Sequence, residues 1–282
     1  MKHLFVLSIL LIPTLKVQAE PIYIEGGPLE SGKIFLNCQI NQTRDKCFFD
    51  SGKRGITVLN TPDFASMKKH GEIRESSASG AVIACDRVTP KSIRVASSVS
   101  FDQQSIARCP FSEKLPKISV GIDPFKDSVV RFDFQVKKLS FANKSLKGVK
   151  QASEWRTEPK GHIALPVTID QLDVYGIWDT GAGLTSVDTA YVTKHPDKFT
   201  FVQELTTGID ATGNPVKMKL YKLKALSILG TKFADISVLA FDFKPIRPYF
   251  NRDVQLILGF NLLSKKNWVL DFPNRMILPE AF

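Results

Sequence analysis

The 282-residue sequence predicts an all-β chain of two similar lobes with few short helices. Three observations carry this prediction. Lys33-Ile34-Phe35-Leu36-Asn37-Cys38, Val129-Val130-Arg131-Phe132-Asp133-Phe134 and Val216-Lys217-Met218-Lys219-Leu220 read as half-buried strands, and turn residues separate such segments about every ten positions. Helical signals are scarce. Thr61-Pro62-Asp63-Phe64 can open a short helix with proline early in it, and a second can include Tyr191-Val192-Thr193-Lys194. Finally, the two halves of the chain repeat one pattern.

The N-terminus reads as a leader. Lys2 and His3 precede an apolar stretch, Leu4 to Leu15, followed by Val17-Gln18-Ala19. A basic start, an apolar middle and a small-residue site predict a signal peptide over residues 1–19, cleaved after Ala19. The apolar stretch is shorter than the ~20 residues a membrane span requires, so stable membrane insertion after cleavage is not expected. Export, periplasmic or secreted, implies an oxidising compartment. The four cysteines, Cys38, Cys47, Cys85 and Cys109, fit it: an even set that allows three pairings. The preferred pairing is Cys38 with Cys47 across a hairpin and Cys85 with Cys109 between neighbouring strands. Their spacing is not that of a zinc site. The later histidines, His70, His162 and His195, are scattered and read as surface or loop residues.

Composition limits the function classes. The 43% apolar and 23% charged content is that of a globular protein and leaves no room for a low-complexity chain. The net charge is +10, and Lys2 and Lys16 account for two of those charges. The remaining basic residues are spread along the chain without interleaved aromatics, so a solvated surface is expected and a nucleic-acid partner is not.

The repeat carries the chemistry. Cys47-Phe48-Phe49-Asp50-Ser51-Gly52 and Gly176-Ile177-Trp178-Asp179-Thr180-Gly181 share two apolar residues, an Asp, a hydroxyl residue and a Gly before apolar sequence resumes. Gly121, in Ile118-Ser119-Val120-Gly121, follows Asp50 by 71 residues, and Gly259, in Leu256-Ile257-Leu258-Gly259, follows Asp179 by 80. Each is followed by a short helical signal and a strand ending in Asp-Phe, at Asp133-Phe134 and Asp271-Phe272. A lone Asp-Ser/Thr-Gly triplet is an ordinary turn sequence. Two of them in matching context predict two homologous lobes, over 20–144 and 162–282, linked by residues 145–161.

These motifs resemble the aspartic peptidases of the retropepsin and pepsin type, so the resemblance implies a bilobal, acid-protease-like β-barrel fold. The second half resembles a retropepsin-like lobe along nearly its whole length. Asp179-Thr180-Gly181-Ala182 matches the catalytic turn, Gly208 to Gly213 lies where a flap hairpin would be, and Leu256 to Leu263 matches the apolar-apolar-Gly segment, with Asn261 where the family often has Asp. The first half matches at Asp50-Ser51-Gly52 and Ser119-Val120-Gly121. The resemblance implies a catalytic dyad of Asp50 and Asp179, supporting turns at Ser51, Gly52, Thr180, Gly181 and Ala182, and flaps around Ser79-Gly80 and Thr212-Gly213. It implies that the hydroxyls of Ser51 and Thr180 bond across to the opposite turn. Gly121 and Gly259 would let a strand cross close behind each Asp turn.

Two departures stand out. Lys53 and Arg54 occupy places where the family has small or polar residues, and the first flap segment, Glu75 to Gly80, has no tyrosine. A Lys53 ammonium near the dyad would favour ionising both acids; the alternative is that Lys53 and Arg54 point outward. Other constellations fail. Gly181-Ala182-Gly183 lacks the third glycine of a dinucleotide loop, and neither a nucleophile elbow nor a phosphate loop is present. The expectation is thus an exported aspartic endopeptidase acting on a peptide or protein substrate, with no metal and no organic cofactor. The alternative is an inactive relative that binds a peptide or protein in the interlobe cleft. A monomer is expected because Asp50 supplies the partner of Asp179; the other arrangement is a homodimer pairing Asp179 with its own copy.

Overall fold

The computed structural model describes residues 19–77, 80–96, 99–101, 104–113, 115–142, 145–209 and 215–280. Three sheets account for its strands. A ten-stranded sheet holds the first half and an eight-stranded sheet the second. A six-stranded sheet mixes both, in the order Ala19–Pro21, Lys138–Ala142, Val129–Asp133, Asn267–Asp271, Met276–Glu280, Ser153–Glu154. Helices are short: Pro62–Ala65, Thr189–Lys194 and Phe260–Leu263 are α-helical. The first two lie where the Thr61-Pro62 and Tyr191–Lys194 signals put them. No described helix is long and apolar enough to cross a membrane.

The repeat seen in the sequence is a repeat in topology. Strand Thr43–Phe49 runs into the Asp50 turn and Ile56–Leu59 leaves it; Ile118–Val120 slots between them, parallel to the first and antiparallel to the second. In the second half Val254–Leu258 slots in the same way between Leu172–Trp178 and Thr185–Asp188. The inserted strand is held on both edges, and its apolar side chains Ile118, Val120, Leu256 and Leu258 are all fully buried. The glycines that follow have no space for a side chain. A Cβ on Gly121 would collide with the Arg54 carbonyl, and one on Gly259 with the backbone of Leu184.

The repeated Asp-Phe pairs have a local explanation. Asp133 accepts from Val136 N at 3.1 Å and Asp271 from Asn274 N at 3.1 Å, so each carboxylate closes the turn that returns its strand as a hairpin. Beneath the Asp turns, the residues just before the two acids rest on one ring: Phe49 stacks on Phe132 at 5.3 Å and Trp178 meets it edge-on at 5.5 Å. All three side chains are fully buried, and one contiguous apolar core runs through both halves.

Residues 145–161 lie along this core. Ser145 Oγ and Leu146 N both donate to Asp271 at 2.7 Å, and Trp155 is buried edge-on against Phe272 at 5.6 Å. Ser153–Glu154 pairs in the six-stranded sheet and Arg156–Thr157 in the eight-stranded one, so the segment hands the chain from one to the other. Both preferred disulfides are present. Cys38–Cys47 spans two paired strands, with Cα atoms 5.9 Å apart, and Cys85–Cys109 has Cα atoms 4.5 Å apart.

Candidate active site

Each Asp turn is pinned by its inserted strand. Asp50 N donates to Val120 O at 2.9 Å and Asp179 N to Leu258 O at 3.1 Å. Each carboxylate is then caught by its own turn: Gly52 N reaches Asp50 Oδ1 at 3.0 Å, and Gly181 N and Ala182 N reach Asp179 Oδ1 at 2.8 and 3.3 Å. The two glycines are required by the opposite acid. A Cβ on Gly52 would sit 2.6 Å from the Asp179 carboxyl, and one on Gly181 would collide with Asp50. Only residues without side chains let the two turns approach face to face.

The hydroxyl residues lock that approach. Ser51 Oγ accepts from Thr180 N at 2.9 Å and donates to Trp178 O at 2.8 Å. Thr180 Oγ1 accepts from Ser51 N at 3.1 Å and donates to Phe49 O at 3.0 Å. Ser51 and Thr180 are completely buried, so every one of these bonds is shielded from competing water.

The Asp50 and Asp179 carboxyls face each other across the two turns, each lying against the glycine of the opposite triplet. Desolvation pushes Asp179 up to about 8, with the neighbouring Asp50 charge adding to it. Desolvation also raises Asp50, opposed first by the Lys53 ammonium and then by hydrogen bonds from Asp179 and Gly52. Two acids this close cannot both ionise near neutral pH, so the pair holds one proton between them and titrates as a unit. Such a pair can take a proton from water with one carboxylate and give one to a carbonyl oxygen from the other.

Lys53 and Arg54 take different directions. Arg54 is exposed and ion-paired with Asp123 at 2.8 Å. Lys53 is half-buried and turned inward, donating to Thr57 Oγ1. The segment expected as the first flap belongs to the hairpin of Lys69–Ser76 and Val82–Val88. At its tip Gly80 adopts φ +80°, its amide donates to Ser77 O at 2.9 Å, and a Cβ there would meet Pro245 of the opposite lobe at 2.9 Å. Ser79, Thr212 and Gly213 lie outside the described residues; the last two fall between the long paired strands Phe199–Ile209 and Pro215–Ile228.

Three further residues lie around the site, and the sequence signalled only the last of them. Glu75, on strand Lys69–Ser76, accepts from Thr57 Oγ1 at 3.4 Å. His162, a loop residue as expected, is half-buried; burial lowers its basicity, with the Gly52 backbone opposing that shift. Asn261 is buried, accepts from Thr185 N at 2.7 Å and Thr185 Oγ1 at 3.0 Å, and donates to Ser237 O at 2.8 Å. For Glu75 and His162 no spacing rule signals proximity across elements; for Asn261 the departure from Asp was the available signal.

No protein-family model and no curated protein matches the sequence. Among solved structures, the crystal structure of an aspartic proteinase from Irpex lacteus is similar, with a TM-score of 0.60 at 12% identity, over 94% of this chain and 97% of that one. The fold of this chain is that of a pepsin-like aspartic proteinase.

Proposed function

We propose that the chain is an exported aspartic endopeptidase that hydrolyses peptide bonds with Asp50 and Asp179. The observation that carries this reading is the pair of carboxyls brought face to face, held by reciprocal Ser51–Thr180 bonds where the two Asp turns meet. The ionised carboxylate removes a proton from water as its oxygen attacks the scissile carbonyl carbon. The protonated partner gives its proton to the carbonyl oxygen, leaving a neutral tetrahedral diol. As the diol collapses and the C–N bond breaks, the carboxyl that took the water proton gives it to the departing nitrogen, and a diol hydroxyl gives its proton to the other carboxylate, restoring the singly protonated dyad. The substrate is an extended peptide lying in the cleft under the Gly80 flap, paired through its main chain. The leader-like N-terminal sequence and the two disulfides support export.

One observation favours a second reading, an inactive relative that binds peptide without cutting it. The inward Lys53 draws Asp50 toward its ionised form and so works against keeping the shared proton. Peptide-library cleavage across pH 3 to 7, read by mass spectrometry for wild type, Asp50→Asn and Asp179→Asn, separates the two. Cutting by wild type alone is the expected result. A folded wild type that cuts nothing while still binding library peptides supports the binder.

A further inference from the structure

Lysine in the turn that carries a catalytic acid needs an explanation. Lys53 stands three residues after Asp50 and is half-buried, where an ammonium without a counter-charge is costly. Its Nζ donates to Thr57 Oγ1 on the strand that leaves the turn. Thr57 is buried, and its one hydroxyl proton is free to go to Glu75 Oε1, 3.4 Å away on the flap strand. The direction of both bonds is fixed, because an ammonium can only donate and an ionised carboxylate only accept. A single hydroxyl therefore joins the catalytic turn to the first flap, with a positive charge at one end and a negative charge at the other.

We propose that Lys53, Thr57 and Glu75 form a polar clamp that docks the first flap strand on the Asp50 turn, with Lys53 and Glu75 as positioning residues of opposite charge beside the dyad. The proposal rests on the peptidase reading above. The groups that face Asp50 are Asp179 from the opposite turn, Lys53 from its own turn and Glu75 from the flap. His162 is influenced by the Gly52 backbone, and Arg54 is turned away to Asp123. Lys53 favours the ionised acid and Glu75 opposes it. Docking the flap brings Glu75 in and helps the dyad keep its proton. Lifting the flap removes Glu75 and leaves the pull of Lys53 unopposed. The closed cleft is then the form that retains the acid for protonating the scissile carbonyl.

The test compares wild type, Lys53→Met, Glu75→Gln and the double variant by two readouts. One is the pH profile of kcat/KM on a peptide cut by wild type; the other is the titration of 13C-labelled Asp carboxyls by NMR. Lys53→Met should move the dyad titration and both limbs of the profile to higher pH by about one unit, the size of effect a nearby opposite charge commonly has. Glu75→Gln should move them to lower pH, and the double variant should fall between. A purely structural clamp would change kcat/KM or stability without these opposed displacements. Superimposable titrations, or displacement of both single variants in the same direction, would overturn the proposal. If wild type cuts no peptide, the peptidase reading falls and the NMR titrations alone judge the clamp. If Lys53→Met does not fold, Glu75→Gln, a conservative change on a half-exposed strand, decides the case.

Discussion

Ser51 and Thr180 are each other's partner twice: each backbone amide donates to the other's hydroxyl, at 2.9 and 3.1 Å, although 129 residues separate them. Each hydroxyl passes its own proton to the carbonyl just before the opposite Asp. The relative position of the two acids is thus fixed by four bonds that depend on two side chains.

Removing either hydroxyl leaves a completely buried amide without an acceptor. Ser51→Ala and Thr180→Val should each lower stability by about 2 kcal/mol, within the range for orphaned buried groups. The double variant should lose less than the sum of the two, because both report on one network. Urea denaturation of the four proteins gives the coupling energy; strict additivity would show that the bonds act independently.

The dyad ties stability to pH with a definite sign. Asp179 is raised from 3.8 to about 8, so the folded chain holds this proton more tightly than the unfolded chain. Its contribution favours folding at low pH and is lost as pH rises through about 8. Asp271 has the opposite sign: despite its burial, bonds from Ser145, Asn274 and Leu146 hold it below 3.8, and its contribution is lost as pH falls through that lowered value. Wild-type Tm should therefore peak between these limits. Asp179→Asn removes the cost of the second charge, so it should raise Tm more at pH 8 than at pH 5, by several °C. Equal changes at the two pH values would refute the linkage.

Asn261 is an amide for a reason that can be measured. Its Nδ2 donates to Ser237 O while its Oδ1 accepts two bonds from Thr185. Aspartate would set a carboxylate oxygen against the Ser237 carbonyl unless it were protonated. Asn261→Asp should cost about 2 kcal/mol at pH 7, and the cost should shrink in acid as the new carboxyl gains its proton. A loss that does not vary with pH would point to packing instead.

Gly80 tests the flap tip. Its φ of +80° is strained for any residue with a side chain, and Pro245 occupies the space a Cβ would need. Gly80→Val should displace the tip from the opposite lobe and raise KM several-fold, with overall stability falling by only about 1 kcal/mol. An unchanged KM would mean that the tip does not help hold substrate.

The sequence exposed the repeat well and the contacts between its copies poorly. Asp50 and Asp179, the crossing glycines and the terminal Asp-Phe pairs were readable because each is a local backbone requirement with a fixed residue type: a turn, a close crossing, a hairpin closure. The reciprocal Ser51–Thr180 bonds were reachable only through the resemblance, since nothing in either triplet says that it faces the other. The direction of Lys53 was undecidable for a similar reason. Both an inward and an outward lysine satisfy the turn, and the choice depends on Thr57 and on Glu75, which enters from a different hairpin. That residues 145–161 link the halves was readable from their position, but that Trp155 and the bonds to Asp271 seat the segment in the core was not.

The six-stranded sheet has a consequence for how the chain is made. Val129–Asp133, which carries the Phe132 ring beneath both Asp turns, finds its inner neighbour only in Asn267–Asp271. A ribosome working from the N-terminus releases the whole first half more than a hundred residues before that neighbour exists. Until then the first half has an open apolar edge and a floor without its far side, the kind of surface that invites aggregation or chaperone capture. Such late, distant pairing also makes for slow folding. A chain that crosses a membrane unfolded and folds afterwards would avoid this half-made state, because both halves would then be available together.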